Sequence, residues 1–181
     1  MNDSDAFRSF IQQADHSLTD GFLPHDLSRG GEYGWITNMI NCIISAGELH
    51  YAVLCNDKPV GCINVERFPQ SYSRAGILRL MVLPQYYSLG IGTEAVRLIF
   101  DDAFDVHDNN NHPEPYFNSL VARVVGDNPA AERVLTKNGF AYRGTQRRAV
   151  RSDDTFYDVR VFDITYDDYI SNRTQAPASH D

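Results

Sequence analysis

One segment constrains the fold more than any other: a strand-like apolar run that passes through a short turn into a glycine-flanked helix start. Ile77-Leu78-Arg79-Leu80-Met81-Val82-Leu83 is nearly all apolar, the pattern of a strand covered on both faces. Pro84 ends the run. After the turn, Gly90-Ile91-Gly92-Thr93-Glu94-Ala95 opens a helix expected over 92–106, whose buried stripe is Val96, Ile99, Phe100 and Ala103. A second buried strand is expected over 120–125. A strand, a crossover helix and a second strand make one parallel pair.

Antiparallel signals surround this unit. Residues 50–55 and 60–67 read as two strands joined by the turn residues Asn56-Asp57-Lys58-Pro59, a hairpin. A short helix is expected over 128–137, with Pro129 suited to its first turn and Asn138-Gly139 to its stop. Strands over 140–148 and 155–164 close the chain as a hairpin. Residues 105–115 read as a polar loop. Helices are expected over 5–14 and 33–46, from apolar residues at helical spacing. The fold class is α/β: a mixed, mostly antiparallel central sheet flanked by helices, with one parallel strand pair in the middle.

The 181 residues suit one domain, expected over 1–170 with a flexible tail over 171–181. No apolar run approaches the roughly 20 residues of a membrane span, so no membrane partner is expected. The N-terminus is acidic rather than basic and apolar like a leader, which points to the cytoplasm. A net charge of −8 argues against nucleic acid as a partner and favours cationic ligands such as amines. Cys42, Cys55 and Cys62 have neither the spacing of a zinc site nor an even count; they read as buried packing residues, with no metal expected.

The glycine-flanked turn admits three readings. Gly90 and Gly92 could simply permit a tight strand-to-helix turn. Gly90-Ile91-Gly92-Thr93-Glu94-Ala95 also fits the G-x-G-x-x-A pattern of nicotinamide dinucleotide folds. Those folds need repeated parallel units and an acidic residue ending the next strand roughly 20 residues on; this chain offers one such unit, and its next strand comes later. The unpartnered first amides of the helix and its dipole offer a diphosphate site, and the third reading is a family resemblance.

Read in order, these segments resemble the GNAT N-acetyltransferase superfamily, specifically its ribosomal-protein and amino-group acetyltransferases. The resemblance spans about 49–169. It includes the strand 78–83, the loop 87–92, Asp127-Asn128-Pro129-Ala130-Ala131, Val134-Leu135-Thr136-Lys137-Asn138-Gly139-Phe140, Tyr142-Arg143-Gly144 and Tyr157-Asp158-Val159. It implies a GNAT-like sheet whose parallel pair splays apart, and transfer of the acetyl group of acetyl-CoA to a primary amine by direct attack in a ternary complex. The acceptor would be a protein N-terminus, a polyamine or a small amine. The resemblance further implies that Leu80, Met81 and Val82 hold the pantetheine arm and thioester through main-chain atoms, with Met81 or Val82 as amide donor to the carbonyl. Tyr87, Ser88, Leu89, Gly90, Ile91, Gly92 and Thr93 would cradle the diphosphate, and Asn128 would hydrogen-bond the arm besides capping its own helix. The strand with which the family usually begins is not evident here.

Two positions depart from the family pattern. Its usual acid tyrosine falls at Leu135, and the serine of a related branch falls at Ala131; neither residue donates a proton. Tyr87 stands where Arg or Gln is usual. Glu66 is the candidate general base, acting through water, with a solvated strand residue as the plain alternative and Glu48, His50 and Tyr51 as rivals. The missing acid keeps a non-catalytic acyl-CoA-binding or sensing module open as an alternative, and the G-x-G-x-x-A pattern adds a nicotinamide dinucleotide-binding oxidoreductase as the other. An exposed strand edge leaves homodimerisation open.

Overall fold

The computed structural model describes residues 49–68, 73–109, 112–152 and 154–175. The expected helices over 5–14 and 33–46, together with Cys42 and Glu48, lie outside the described residues. Strands β1 (Leu49–Cys55), β2 (Lys58–Arg67), β3 (Ala75–Val82), β6 (Ser119–Val125), β7 (Ala141–Ser152) and β8 (Thr155–Thr165) form one sheet in the order β1-β2-β3-β6-β8-β7. Only β3 and β6 are parallel; every other neighbouring pair is antiparallel. This is the mixed, mostly antiparallel sheet expected from the sequence.

The β1–β2 turn is tighter than the four residues foreseen. Asn56 and Asp57 both take left-handed φ values, 51° and 60°, as a two-residue hairpin turn requires. The pairing then slips by one residue at Val53/Leu54. Strand β2 meets β3 in unbroken register from Gly61↔Val82 to Arg67↔Gly76. At Gly61 an added Cβ would lie 2.3 Å from the Met81 carbonyl oxygen, so a side chain there would push the strands apart.

Alternation along the strands builds the core. Ile63, Val65 and Leu78, with Leu120, Ala122 and Val124 of β6 and Phe162 and Ile164 of β8, are buried together against Ala95, Val96, Ile99, Phe100 and Ala103. The latter five line one side of helix α1 (Ile91–Ala103). Each of the larger side chains contributes roughly 2 kcal/mol by leaving water. Helix α2 (Pro129–Lys137) follows β6, capped by the Asn128 side chain, which accepts from the Ala131 amide at 3.0 Å.

Helix α3 (Tyr166–Gln175) was not foreseen and runs into the expected tail. Thr165 and Asp168 cap its start reciprocally: the Thr165 amide and hydroxyl donate to the Asp168 carboxylate, and the Asp168 amide donates to Thr165 Oγ1. Tyr169 docks the helix by stacking on Phe104 at 4.9 Å and meeting Phe100 edge-on at 5.4 Å. The expected loop over 105–115 contains a small hairpin, β4 (Val106–Asn109) with β5 (His112–Pro115). Cys55 and Cys62 are free thiols and do not face one another, since Cys55 pairs with Lys58 and Cys62 with Ala52.

Candidate active site

The site begins with an interruption in the sheet. Strands β3 and β6 pair only from Ala75↔Ser119 to Leu78↔Ala122. Both strands then run on, held by their outer neighbours: Val82 stays opposite Gly61, and Val125 stays opposite Val159. Between Arg79–Val82 and Arg123–Val125 the sheet is therefore open along two backbone edges.

Main-chain direction on β3 follows from three hydrogen bonds. The Asn118 amide donates to the Arg74 carbonyl at 2.8 Å, while Phe68 donates to the Ala75 carbonyl at 3.1 Å and Leu83 donates to Val60 at 2.8 Å. Even-numbered residues of β3 thus turn their peptide groups toward β6, and odd-numbered ones toward β2, as ladder alternation demands. Leu80 and Val82 direct N–H and C=O into the gap. Met81 does not; its peptide groups belong to the β2 ladder, and its side chain is buried.

The mouth of the gap is the turn after β3. Pro84–Tyr86 form one 3₁₀ turn, and the Tyr87 amide closes it on the Pro84 carbonyl at 3.1 Å. Ser88 and Gly90 both adopt left-handed φ, 63° and 82°. These two positive-φ residues reverse the chain sharply into the helix start. Gly90 occupies the N-cap of α1 and supplies no side-chain cap, so the amides of Ile91, Gly92 and Thr93 keep the free direction of a helix start. Glu94, which would repel an anion, is paired with Arg97 at 2.5 Å, and that bond holds its carboxyl below the usual range. Gly92 lies between β3 and α2: an added Cβ would stand 3.3 Å from Leu80 Cδ2 and 3.4 Å from Val134 Cγ2. Tyr87 and Leu89 are exposed at this mouth. Asn128, at the start of α2 after β6, has its Oδ1 engaged in the cap.

A row of polar groups crosses β1, β2 and β3 on the face turned away from α1. His50↔Asn64 and Asn64↔Arg79 are cross-strand partners, so these three form one row over β1, β2 and β3. Glu66 stands two residues along β2. Its Oε1 accepts from Arg79 in an ion pair and from Asn64 Nδ2 at 3.1 Å. Sequence reasoning singled out Glu66 and His50 but passed over Asn64 and Arg79. A polar and a charged residue inside two apolar strand runs were the signal available.

Tyr51, a rival base, stands on the other face. It lines a cleft of about 560 Å³ with Leu54, Leu89, Leu98 and Asp102, between β1 and the flank of α1 opposite α2. Burial, then the hydrogen bond and charge of Asp102, push its hydroxyl up to about 12, so it stays protonated at neutral pH. Leu135, at the family's acid position, is buried in the core. No group of His, Cys, Asp and Glu suited to a metal ion occurs among the described residues. No helix among them is long and apolar enough to cross a membrane.

The fold is shared with several solved acetyltransferases. Ribosomal-protein-S5-alanine acetyltransferase from Vibrio fischeri superposes with a TM-score of 0.72 at 16% identity, covering 93% of this chain and 92% of that one. A spermidine N-acetyltransferase chimera of the Vibrio cholerae and human enzymes gives 0.68 at 13% identity, over 94% and 95%. A ribosomal L7/L12 alpha-N-protein acetyltransferase in complex with coenzyme A gives 0.66 at 12%, over 91% and 90%. No curated protein sequence matches significantly. The family model described as the Acetyltransferase (GNAT) domain matches residues 1–141. With the splayed strand pair and the amide-lined turn, that match establishes that the chain belongs to the GNAT acetyltransferase family.

Proposed function

We propose that the protein transfers the acetyl group of acetyl-CoA to a primary amine by direct attack in a ternary complex. One observation carries the reading: β3 and β6 part after Leu78↔Ala122, and the gap ends on the turn from Tyr87 to Thr93. The residues fit this cosubstrate. An extended arm with amide groups matches the free peptide edges of Leu80 and Val82. A diphosphate matches the uncapped amides of Ile91, Gly92 and Thr93.

When bound, acetyl-CoA supplies an activated acyl group on a leaving thiol. The chain supplies placement and polarisation. The Leu80 or Val82 amide, turned into the gap, would polarise the acyl carbonyl; Met81, whose peptide groups face β2, is the less suitable donor. A fixed donor of this kind is worth about 3 kcal/mol of barrier, and correct placement of two reactants adds more. Glu66 is the group through which the amine proton leaves by way of water, with its carboxylate oriented by Asn64 and Arg79. Departure of the thiol uses solvent as proton source, because Leu135 and Ala131 carry no acid.

Polyamines and protein N-termini are the acceptors to try first, given the solved relatives and the acidic charge. The test is thiol release from acetyl-CoA with spermidine and with a tripeptide bearing a free N-terminus, beside calorimetry of coenzyme A binding. Turnover with either amine supports the proposal. Tight binding without thiol release favours a second reading, an acyl-CoA-binding module, for which the buried Leu135 is the observation. Absence of coenzyme A binding overturns both.

A further inference from the structure

Asn64 is 6% exposed, and its Oδ1 has no hydrogen-bond partner among the described residues. The orientation of its carboxamide follows from chemistry. Nδ2 donates to Glu66, a carboxylate that only accepts, so a flipped amide would set two acceptors against each other. A buried acceptor left unpaired is costly, and native folds keep few of them. The position of Asn64 gives this one a use. Its cross-strand partner Arg79 is the first β3 residue beyond the last parallel pair, Leu78↔Ala122. A diphosphate held on the turn after β3, with its arm along the free edge of Leu80 and Val82, would bring the thioester toward the closed end of the gap, where Arg79 stands. Tyr157 of β8 lies two residues beyond Val159, the partner of the last β6 residue, and so stands at the open end instead.

We propose that Asn64 is an acceptor-positioning residue: its Oδ1 receives an N–H of the incoming amine at the closed end of the gap, beside Glu66. The inference rests on the acetyl-transfer reading and deepens it. It makes the amine-binding subsite a pair of hydrogen-bond acceptors on β2, with Arg79 holding Glu66 in place. An amine with at least two N–H bonds suits the pair, one donated to Asn64 and one passed toward Glu66. A tertiary amine, with none to give when neutral, does not.

The experiment compares the wild type with Asn64→Leu, which keeps the shape and removes both polar atoms. Spermidine and the free-N-terminus tripeptide are the acceptors. kcat/KM for the amine is expected to fall about tenfold, the loss of one hydrogen bond, with KM for acetyl-CoA unchanged and Tm unchanged or raised. An Asn64 that only packs gives the reverse pattern, a lowered Tm with the amine parameters unmoved, and overturns the proposal; one that only orients Glu66 lowers kcat/KM but leaves its own side-chain amide resonances unmoved by the amine, and overturns it as well. As a second measurement, the Asn64 side-chain amide resonances of the wild type bound to coenzyme A are expected to shift on titration with spermidine or the tripeptide. No shift at concentrations that saturate turnover also overturns it. If coenzyme A does not bind, the acetyl-transfer reading fails and takes this inference with it. If coenzyme A binds and turns over while Asn64→Leu leaves amine kinetics unchanged, the inference fails alone.

Discussion

Leu78 and Ala122 are the last residues at which β3 and β6 lie in register; one step further along, the two backbones separate. Each remains tied to its other neighbour through Gly61↔Val82 and Val125↔Val159, so the gap belongs to the sheet topology and does not depend on a mobile loop.

Gly90 and Gly92 should fail differently when replaced by valine. Gly90 has φ 82° with open space around an added Cβ, so Gly90→Val strains the backbone by about 1–2 kcal/mol and misdirects the amides of the turn. Gly92→Val presses on Leu80 and Val134 at the mouth of the gap. Calorimetry should show at least a tenfold loss of coenzyme A affinity in both, while urea unfolding shows the larger stability loss attributable to φ at Gly90. Unchanged affinity in both variants contradicts the site.

Asn128 has two separable roles. Asn128→Ala removes the cap to Ala131 and should cost about 1 kcal/mol of stability. Asn128→Ser keeps a capping oxygen but loses the Nδ2 donor, so its stability should stay near that of the wild type while coenzyme A binds several-fold more weakly. If the serine variant binds coenzyme A normally, Asn128 is a cap only.

Leu120 is fully buried at the centre of the sheet, and its Cδ2 lies 2.9 Å from where a Cβ on Gly76 would be. Leu120→Ala should lower the unfolding free energy by about 2–5 kcal/mol, read from the urea midpoint at constant slope. A change under 1 kcal/mol would contradict the packing around the parallel pair.

Burial pushes the Cys62 thiol up to about 12. In the folded state it stays neutral, whereas in the unfolded chain it ionises near pH 9. The unfolded state then holds fewer protons than the native one, so stability falls as pH rises from about 9 to 12, by up to roughly 1.4 kcal/mol per pH unit. Below pH 9 the effect vanishes. Urea unfolding at pH 8 and pH 10 should show this loss in the wild type and a smaller one in Cys62→Val. A thiol reagent at pH 8 should label Cys62 only after unfolding, measured in a Cys42→Ala, Cys55→Ala background.

Much of the architecture was legible because periodicity reports burial directly. The apolar run before Pro84, the Val96-Ile99-Phe100-Ala103 stripe and the Asn128-Pro129 start each became the element expected, within one to three residues at the ends. Helix α3 was missed because it has little apolar stripe and is held by a Thr165–Asp168 cap and by Tyr169 reaching Phe100 and Phe104. The β4–β5 hairpin was missed because its polar residues carry no alternation.

The sequence by itself determined the order of elements, the single crossover and the glycine-flanked helix start, since each depends on residues adjacent in the chain. Only the tertiary structure decided which peptide groups of β3 face the gap: those of Leu80 and Val82 rather than Met81. It alone also set Asn64 between His50 and Arg79. Strand register fixes both: it follows from the turn geometry that pairs β2 with β1 and from the pairing of β2 with β3, neither of which the periodicity of one strand specifies.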